Sequence, residues 1–259
     1  MSQQVYFWAG NRRMQRSLPE PMTEVIPGVK WGLATSVFST AHWVVQSWMS
    51  LTTGGERSPY HSSGTLADEL AFCLLGGHGI SAEMAGLAFD ACKANGLIAR
   101  REKKTENWTE VLSQPLRKHD RAVRYRFPIQ KARYLANAMR YIDESVFETS
   151  DGRTLRDALM RLAGVGPKTA GWVARNMLDT DDVAILDIHV VRAGRLCGLF
   201  SPCQRVTANY GEMEDQFIAY CRAIKIRPAI LDCLVWEQMR MGGPLVLEML
   251  RAGGHPQNA

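Results

Sequence analysis

The chain has 259 residues, of which 46% are hydrophobic and 22% charged, and these proportions exclude a wholly disordered, collagen-like or coiled-coil protein. Its formal net charge of +5 suits a polyanionic partner without requiring one. No apolar run approaches the roughly 18 residues of a membrane span, and the N-terminus lacks a signal-peptide pattern, so we expect a cytoplasmic protein with no membrane partner.

Helical spacing prevails along the chain, whereas the sequence lacks sustained period-two alternation of β-branched residues and lacks an Asn-Gly or Asp-Gly hairpin between apolar runs, so we expect almost no strands. Residues 1–64 are predicted to form an N-terminal helical segment. Within it, the apolar residues from Ala34 to Trp48 recur at helical intervals and predict a helix over about 31–51. Residues 52–64 are rich in Gly, Ser and Pro and are typical of a connector.

Two helices joined by a short turn are predicted next. Thr65 and Asp68 form a capping box at the start of the first helix, and Ser81 caps a second one that runs to about Ala94. The Gly-Gly-His-Gly link between them, with His78 at its turn, indicates an αα-hairpin.

Residues 98–134 are the most basic part of the chain. A solvated surface is the ordinary explanation for such charge, but eleven basic residues against four acidic ones also indicate a surface that contacts phosphates. The basic residues are Arg100, Arg101, Lys103, Lys104, Arg117, Lys118, Arg121, Arg124, Arg126, Lys131 and Arg133.

The second half of the chain is also predicted to be helical. Thr154 and Asp157 form a second capping box for a helix that ends at Gly164, and Pro167 starts another helix that ends near Asp179. Further helical patterns cover about 187–198, 206–224 and 228–241. The fold class predicted from these patterns is all-α.

One short segment carries the most information about function. Gly164, Val165 and Gly166 join the helix that ends at Gly164 to the helix that begins at Pro167. Glycines at such a turn leave the backbone N–H groups of the second helix open to a phosphate, which the helix dipole also attracts. The segment therefore predicts a helix-hairpin-helix that binds the DNA backbone without reading bases.

A lysine and an aspartate follow this hairpin at a characteristic distance. Lys168 stands on its second helix, and Asp187 lies 19 residues further on in an Asp-x-His-Val context. Here the chain resembles the helix-hairpin-helix–Gly/Pro/Asp superfamily of DNA glycosylases. The run K-T-A-G-W-V-A-R-N at 168–176 is particularly similar to the archaeal and bacterial 8-oxoguanine glycosylases, and the resemblance covers roughly residues 62–242.

The resemblance implies a two-lobed helical fold with the active site in the cleft between the lobes. A helical barrel at 65–190 would carry the hairpin, at about 155–178, and the C-terminal helices at 191–259 would complete a second lobe with residues 1–64. No iron–sulfur loop follows Asp187, and the six cysteines stand singly without a Cys-x-x-Cys pair, so we expect no metal and no cofactor.

The resemblance also assigns the catalytic residues. Lys168 would attack the anomeric carbon of a flipped nucleotide, which requires its neutral amine, and a solvated lysine is the alternative. Asp187 would stabilise the oxocarbenium-like sugar, although it is also placed to cap the helix that starts at Ile188.

The remaining site residues are assigned less directly. Trp172, Trp236 and Gln238 would line the base pocket, although Trp172 could equally pack in the barrel. His78 would enter the gap left by the flipped base unless it forms a simple turn, and His189 would contact a phosphate unless its role is structural. Lys131 belongs to the phosphate-contacting set.

We therefore expect a monomeric glycosylase that acts on double-stranded DNA with a modified base, first of all 8-oxoguanine. If Lys168 attacks, a Schiff base forms and β-elimination nicks the strand. A glycosylase for hypermodified bases of phage DNA is an alternative, because the hairpin and the Lys–Asp pair are indifferent to the base. A non-catalytic DNA-binding protein is the alternative from another class.

Overall fold

The computed structural model describes residues 2–54, 64–77, 79–118, 121–145, 147 and 149–256. It is mostly helical, as the sequence predicted. The helices are α1 (Thr40–Thr52), α2 (Leu66–Leu75), α3 (Ala82–Ala94), α4 (Thr105–Ser113), α5 (Pro128–Glu144), α6 (Gly152–Leu159), α7 (Pro167–Leu178), α8 (Ile188–Leu196), α9 (Val206–Ile224) and α10 (Pro228–Ala252).

Three short antiparallel hairpins accompany the helices. Their strands are β1 (Gln3–Ala9) with β2 (Arg12–Leu18), β3 (Glu24–Ile26) with β4 (Val29–Lys30), and β5 (Leu116–Lys118) with β6 (Arg121–Val123). The expectation of a helical N-terminal segment almost without strands was therefore wrong. A Gly10-Asn11 turn joins β1 to β2, and Gly10 takes a left-handed φ of +59° that such two-residue turns need.

The first helix also begins later than predicted. It starts at Thr40 rather than near residue 31, and Ser39 caps it by accepting a hydrogen bond from the His42 amide. Gly32 and Phe38 both have positive φ angles, +67° and +68°, which lie outside the right-handed helical region. The helical spacing of the apolar residues before Thr40 was therefore coincidental.

Other helix ends follow their local signals more closely. The capping box of Thr65 and Asp68 is present, and α7 begins at Pro167 and ends beside Asp179 as predicted. In contrast, α6 begins at Gly152 and ends at Leu159, because Asp151 rather than Thr154 caps it. The last helix α10 continues to Ala252 across a kink at Gly243, where φ is +39°.

The chain forms two compact units. The terminal unit combines Met1–Pro59 with Ala184–Ala259, and the central unit is Tyr60–Val183. Each unit has its own hydrophobic core. That of the central unit is built around Trp108, and that of the terminal unit around Trp43 and Phe200. None of the helices in the described part of the chain combines the length and hydrophobicity of a membrane span.

Candidate active site and nucleic-acid interface

The turn between α6 and α7 gives its two glycines different surroundings. Gly164 has a φ of +82°, and a Cβ atom added there would collide with the Tyr134 ring of α5. Val165 is buried against the core of the central unit. Gly166 is exposed, with no atom within 4 Å of an added Cβ among the described residues. Gly164 therefore lets the turn pack closely against α5, whereas Gly166 leaves the solvent-facing side of the turn uncovered.

The N-terminus of α7 is open to an anion. Gly166 occupies the N-cap position, Pro167 follows it, and no side chain of the described residues caps the helix. Its first amide groups and the positive end of its dipole are therefore available to a phosphate. Lys168 is partly buried in this first turn, and Trp172, also partly buried, lies one turn further on. Residues four apart share a helix face, so the predicted nucleophile and pocket residue are neighbours.

Lys131 lies close to Lys168, and its amine binds backbone carbonyl oxygens at the end of α2. Its Nζ donates hydrogen bonds to the carbonyl oxygens of Leu74, at 2.5 Å, and Gly76, at 2.6 Å. An ammonium group bound to the last carbonyls of α2 complements the negative end of that helix. Burial, and then the positive charge of Lys168, lower the pKa of Lys131. Lys131 thus fixes the loop after α2, where the sequence had placed it among the phosphate contacts.

A buried polar network joins α7 to α2. Glu69 is buried and accepts a hydrogen bond from the Asn176 amide, and the guanidinium of Arg175, also buried, donates to the Asn176 carbonyl oxygen at 3.2 and 3.1 Å. Buried charges persist where they are paired. Sequence reasoning missed this network, although a glutamate inside the apolar run of α2 was a signal that a partner exists.

The same network borders the face of α2 that carries Cys73. Burial chiefly raises the pKa of the Cys73 thiol, Glu69 raises it further, and the charges of Arg175 and Lys168 oppose the rise. Lys168 therefore lies within electrostatic reach of both Cys73 and Lys131.

Asp187 belongs to the terminal unit, where it caps α8. Its Oδ1 accepts hydrogen bonds from the His189 and Val190 amides, both at 2.9 Å. No described residue donates a hydrogen bond to Oδ2. Asp187 is partly buried, and besides capping α8 it interacts electrostatically with Arg192.

Two residues of α9 hold the segment that leads to Asp187. Glu214 is buried and accepts from the Ala184 amide at 3.0 Å. The Tyr210 hydroxyl donates to the Ala184 carbonyl at 2.8 Å and accepts from the Leu186 amide at 3.3 Å. Neither residue was singled out from the sequence; their only signal was the four-residue spacing that places both on one face of α9.

The pocket residues predicted on α10 lie on different sides of that helix. Trp236 packs edge-to-face on His189, with ring centroids 6.2 Å apart, and the Arg240 guanidinium lies 4.9 Å over the Trp236 ring. Gln238 instead contacts α1, where its carbonyl oxygen is 3.2 Å from His42 Nε2 and its amide donates to Gln46 at 2.9 Å. His189 and Trp236 thus form one cluster and Gln238 belongs to another.

Part of the basic segment is neutralised within the central unit. Arg101 and Lys103 both pair with Asp143, Arg100 pairs with Glu102, and Lys118 pairs with Glu83. Six exposed cations of this segment form no ion pair with any described residue, which narrows the phosphate-contacting candidates to Lys104, Arg117, Arg121, Arg124, Arg126 and Arg133. His78 lies outside the described residues.

Potential metal ligands are dispersed. Across the described ranges, no three side chains of His, Cys, Asp or Glu come together in a group that could hold a metal ion.

Comparison with known proteins gives consistent matches. A family model described as 8-oxoguanine DNA glycosylase matches residues 57–226. The crystal structure of 8-oxoguanine DNA glycosylase from Methanocaldococcus jannaschii is similar, with 25% identity over 68% of this chain and 78% of that chain and a TM-score of 0.52. The Thermotoga maritima enzyme gives 23% identity, 67% and 78% coverage and a TM-score of 0.49. No curated protein sequence matches.

Proposed function

The chain belongs to the 8-oxoguanine DNA glycosylase family, and we propose that this DNA glycosylase excises an oxidised purine, first of all 8-oxoguanine, from duplex DNA in the cytoplasm. The observation that carries the proposal is the first turn of α7, where an uncapped helix start and a partly buried lysine adjoin. The similar Methanocaldococcus jannaschii structure, which is named for 8-oxoguanine, supports the choice of base.

The helix-hairpin-helix formed by α6 and α7 would bind the DNA backbone while the target base leaves the base stack. Open amides at Gly166 and the start of α7 bind a phosphate oxygen without reading sequence. The target nucleotide must be extruded, because its glycosidic bond is inaccessible inside a duplex. Trp172, one turn beyond Lys168, would stack on the extruded base.

Lys168 would then act as the nucleophile. Its neutral Nζ forms a bond to the anomeric carbon as the bond from that carbon to the base breaks, and the departing base takes a proton. Ring opening of the sugar gives a Schiff base, and loss of a proton from the adjacent carbon expels the 3′ phosphate. The reaction requires no metal or redox step.

Asp187 would stabilise the positive charge that develops on the sugar. Its Oδ1 accepts hydrogen bonds from the α8 amides, so Oδ2 is the oxygen that would face the substrate. A carboxylate beside a developing cation in a dehydrated site contributes several kcal/mol to transition-state stability.

Borohydride trapping tests the roles of these two residues. With duplex DNA that carries 8-oxoguanine, we expect the wild-type protein to release the base, nick the strand and form a borohydride-trapped covalent complex. Lys168→Gln should abolish trapping and nicking. Asp187→Asn should reduce base release by at least about a hundredfold and leave duplex binding intact, because asparagine still caps α8.

Lys93→Gln is the matched control, because Lys93 is an exposed lysine on α3 of the same unit, and it should behave as wild type. Base release without trapping would show that the enzyme is a monofunctional glycosylase without lyase activity. Binding without release, unchanged by Lys168→Gln, would identify a non-catalytic DNA-binding protein.

A panel of duplexes decides the substrate. Each duplex carries one candidate base, including hypermodified pyrimidines of the kind found in phage DNA, and released base is detected by mass spectrometry. Release of a modified pyrimidine instead of 8-oxoguanine would contradict the choice of an oxidised purine and favour a role in defence against foreign DNA.

A further inference from the structure

The outward face of the β1–β2 hairpin carries large aromatic side chains that no core covers. Tyr6 and Trp8 are 61% and 64% exposed, whereas Val5 and Phe7, which alternate with them, turn toward the terminal unit. Alternation of this kind places Tyr6 and Trp8 on one side of the strand, about 7 Å apart along it. The hairpin therefore presents two neighbouring aromatic rings to solvent.

These exposed rings are not what anchors the hairpin. Phe7 packs edge-to-face on Trp48 of α1, with ring centroids 4.7 Å apart. The Gln3 amide donates to the carbonyl oxygens of Pro19, at 2.8 Å, and Gly32, at 2.9 Å, and its own oxygen accepts from the Ala34 amide at 2.8 Å. Since the inward face supplies the attachment, folding does not account for the two outward aromatics.

A cation accompanies the rings on the same face. Arg13 is opposite Trp8 in the strand register, and its guanidinium lies 4.5 Å over the Tyr6 ring. Residues 2–19 include three arginines and neither Asp nor Glu. We call Tyr6, Trp8 and Arg13 the hairpin face. Its positive charge distinguishes it from an uncharged apolar patch that fits another protein surface.

We propose that the hairpin face binds unpaired nucleotides of single-stranded DNA, with bases stacked on Tyr6 and Trp8 and a phosphate at Arg13. Aromatic rings bind the flat faces of bases, which are accessible where the strand is unpaired, and arginines follow the backbone. A duplex offers mainly base edges and phosphates, for which two aromatic rings are poorly suited.

This site is independent of base excision. The hairpin precedes residues 57–226, which the family model matches, and it includes neither Lys168 nor Asp187. The proposal therefore stands or falls separately from the proposed glycosylase reaction.

Fluorescence anisotropy with a labelled oligothymidylate of about 12 nucleotides, a length that suits one such site, tests the proposal on the full chain. We expect Trp8→Ala and Tyr6→Ala each to weaken binding at least about fivefold. Trp8→Phe should stay within about twofold of wild type, because a ring remains for stacking. Arg13→Gln should reduce the dependence of binding on salt concentration.

Met22→Ala is the matched control, because Met22 is 68% exposed in the same unit but lies outside the hairpin; it should bind like wild type. Circular dichroism and thermal melting verify that each variant folds. Unchanged binding by both Trp8→Ala and Tyr6→Ala, or no binding by the wild type, would overturn the proposal. So would a concentration-dependent dimer in sedimentation that Trp8→Ala abolishes, because a second copy would then occupy the face.

Discussion

At the scale of single residues, the position of Asp187 depends on side chains far from it in sequence. Tyr210 and Glu214 hydrogen-bond to the backbone at Ala184 and Leu186, immediately before the carboxylate. Those backbone groups are buried, and a buried amide without a partner costs roughly 1–3 kcal/mol. Tyr210 and Glu214 are therefore positioning residues for Asp187.

Tyr210→Phe tests this dependence. The change removes one hydroxyl that serves both Ala184 and Leu186, so we expect the free energy of unfolding to fall by about 1–2 kcal/mol. We also expect the rate constant of base excision to fall about tenfold, with duplex affinity retained. Single-turnover kinetics and anisotropy measure the two effects. Tyr141→Phe, at a partly buried ring that packs on Phe147, should alter neither, and an unchanged excision rate in Tyr210→Phe would contradict the positioning role.

We expect His42 to make the stability of the terminal unit depend on pH. Burial lowers its pKa below the usual 6.5, and the hydrogen bond with Gln238 partly opposes this. The unfolded chain therefore takes up a proton before the folded chain does as the pH falls through 6.5, and stability declines in that range. Thermal melting between pH 7.5 and pH 5.5 (about one unit either side) should show a larger decline for wild type than for His42→Gln. Equal declines would argue against His42 as the source.

At the scale of elements, the α6–α7 turn predicts opposite effects for its two glycines. Gly164→Ala forces a side chain into a positive φ and against Tyr134, so it should lower the free energy of unfolding by about 2–4 kcal/mol. Gly166→Ala meets open space and an ordinary backbone angle, so its cost should stay within about 1 kcal/mol.

The affinity for duplex DNA should also differ between Gly164→Ala and Gly166→Ala. A methyl group at Gly166 covers the surface that the phosphate approaches, and we expect the dissociation constant for duplex DNA to rise about tenfold. Denaturant unfolding and anisotropy test the pair. If Gly166→Ala binds DNA as well as wild type, the open start of α7 is not the phosphate site.

The sequence predicted those elements whose signals are local. Pro167, Asp179 and the capping box of Thr65 with Asp68 lie within one helical turn of the ends they specify, and each prediction is confirmed. The β1–β2 hairpin was missed because aromatic residues point to both of its faces, which removes the alternation between polar and apolar residues that reveals a strand.

In the candidate site, too, the features with local sequence signals were predicted and those that depend on distant contacts were not. Its glycines and its lysine follow from one short motif, whereas the bonds of Lys131 to Leu74 and Gly76 join residues more than 50 positions apart. Sequence spacing gave no information on those bonds, since they depend on how α5 packs beside α2. The sequence assigned Lys131 to phosphate contact and did not predict that its amine also binds two carbonyl oxygens.

At the scale of the whole molecule, the chain leaves the terminal unit once and returns to it. The central unit is one continuous segment with its own buried core, whereas the terminal unit needs both ends of the chain. A continuous segment that buries its own apolar residues has the properties of an independent domain. The central unit contains the α6–α7 turn and Lys168, and the terminal unit contains Asp187.

Expression of residues 60–183 alone tests this organisation. Since the core of the central unit is internal to that segment, we expect one cooperative thermal transition and the helical circular dichroism of a folded domain. Because it retains the α6–α7 turn and the basic segment, the fragment should bind duplex DNA, more weakly as salt increases. It lacks Asp187 and should release no base. A fragment that is unfolded would show that the central core depends on the terminal unit, and a folded fragment that excises the base would remove Asp187 from the mechanism.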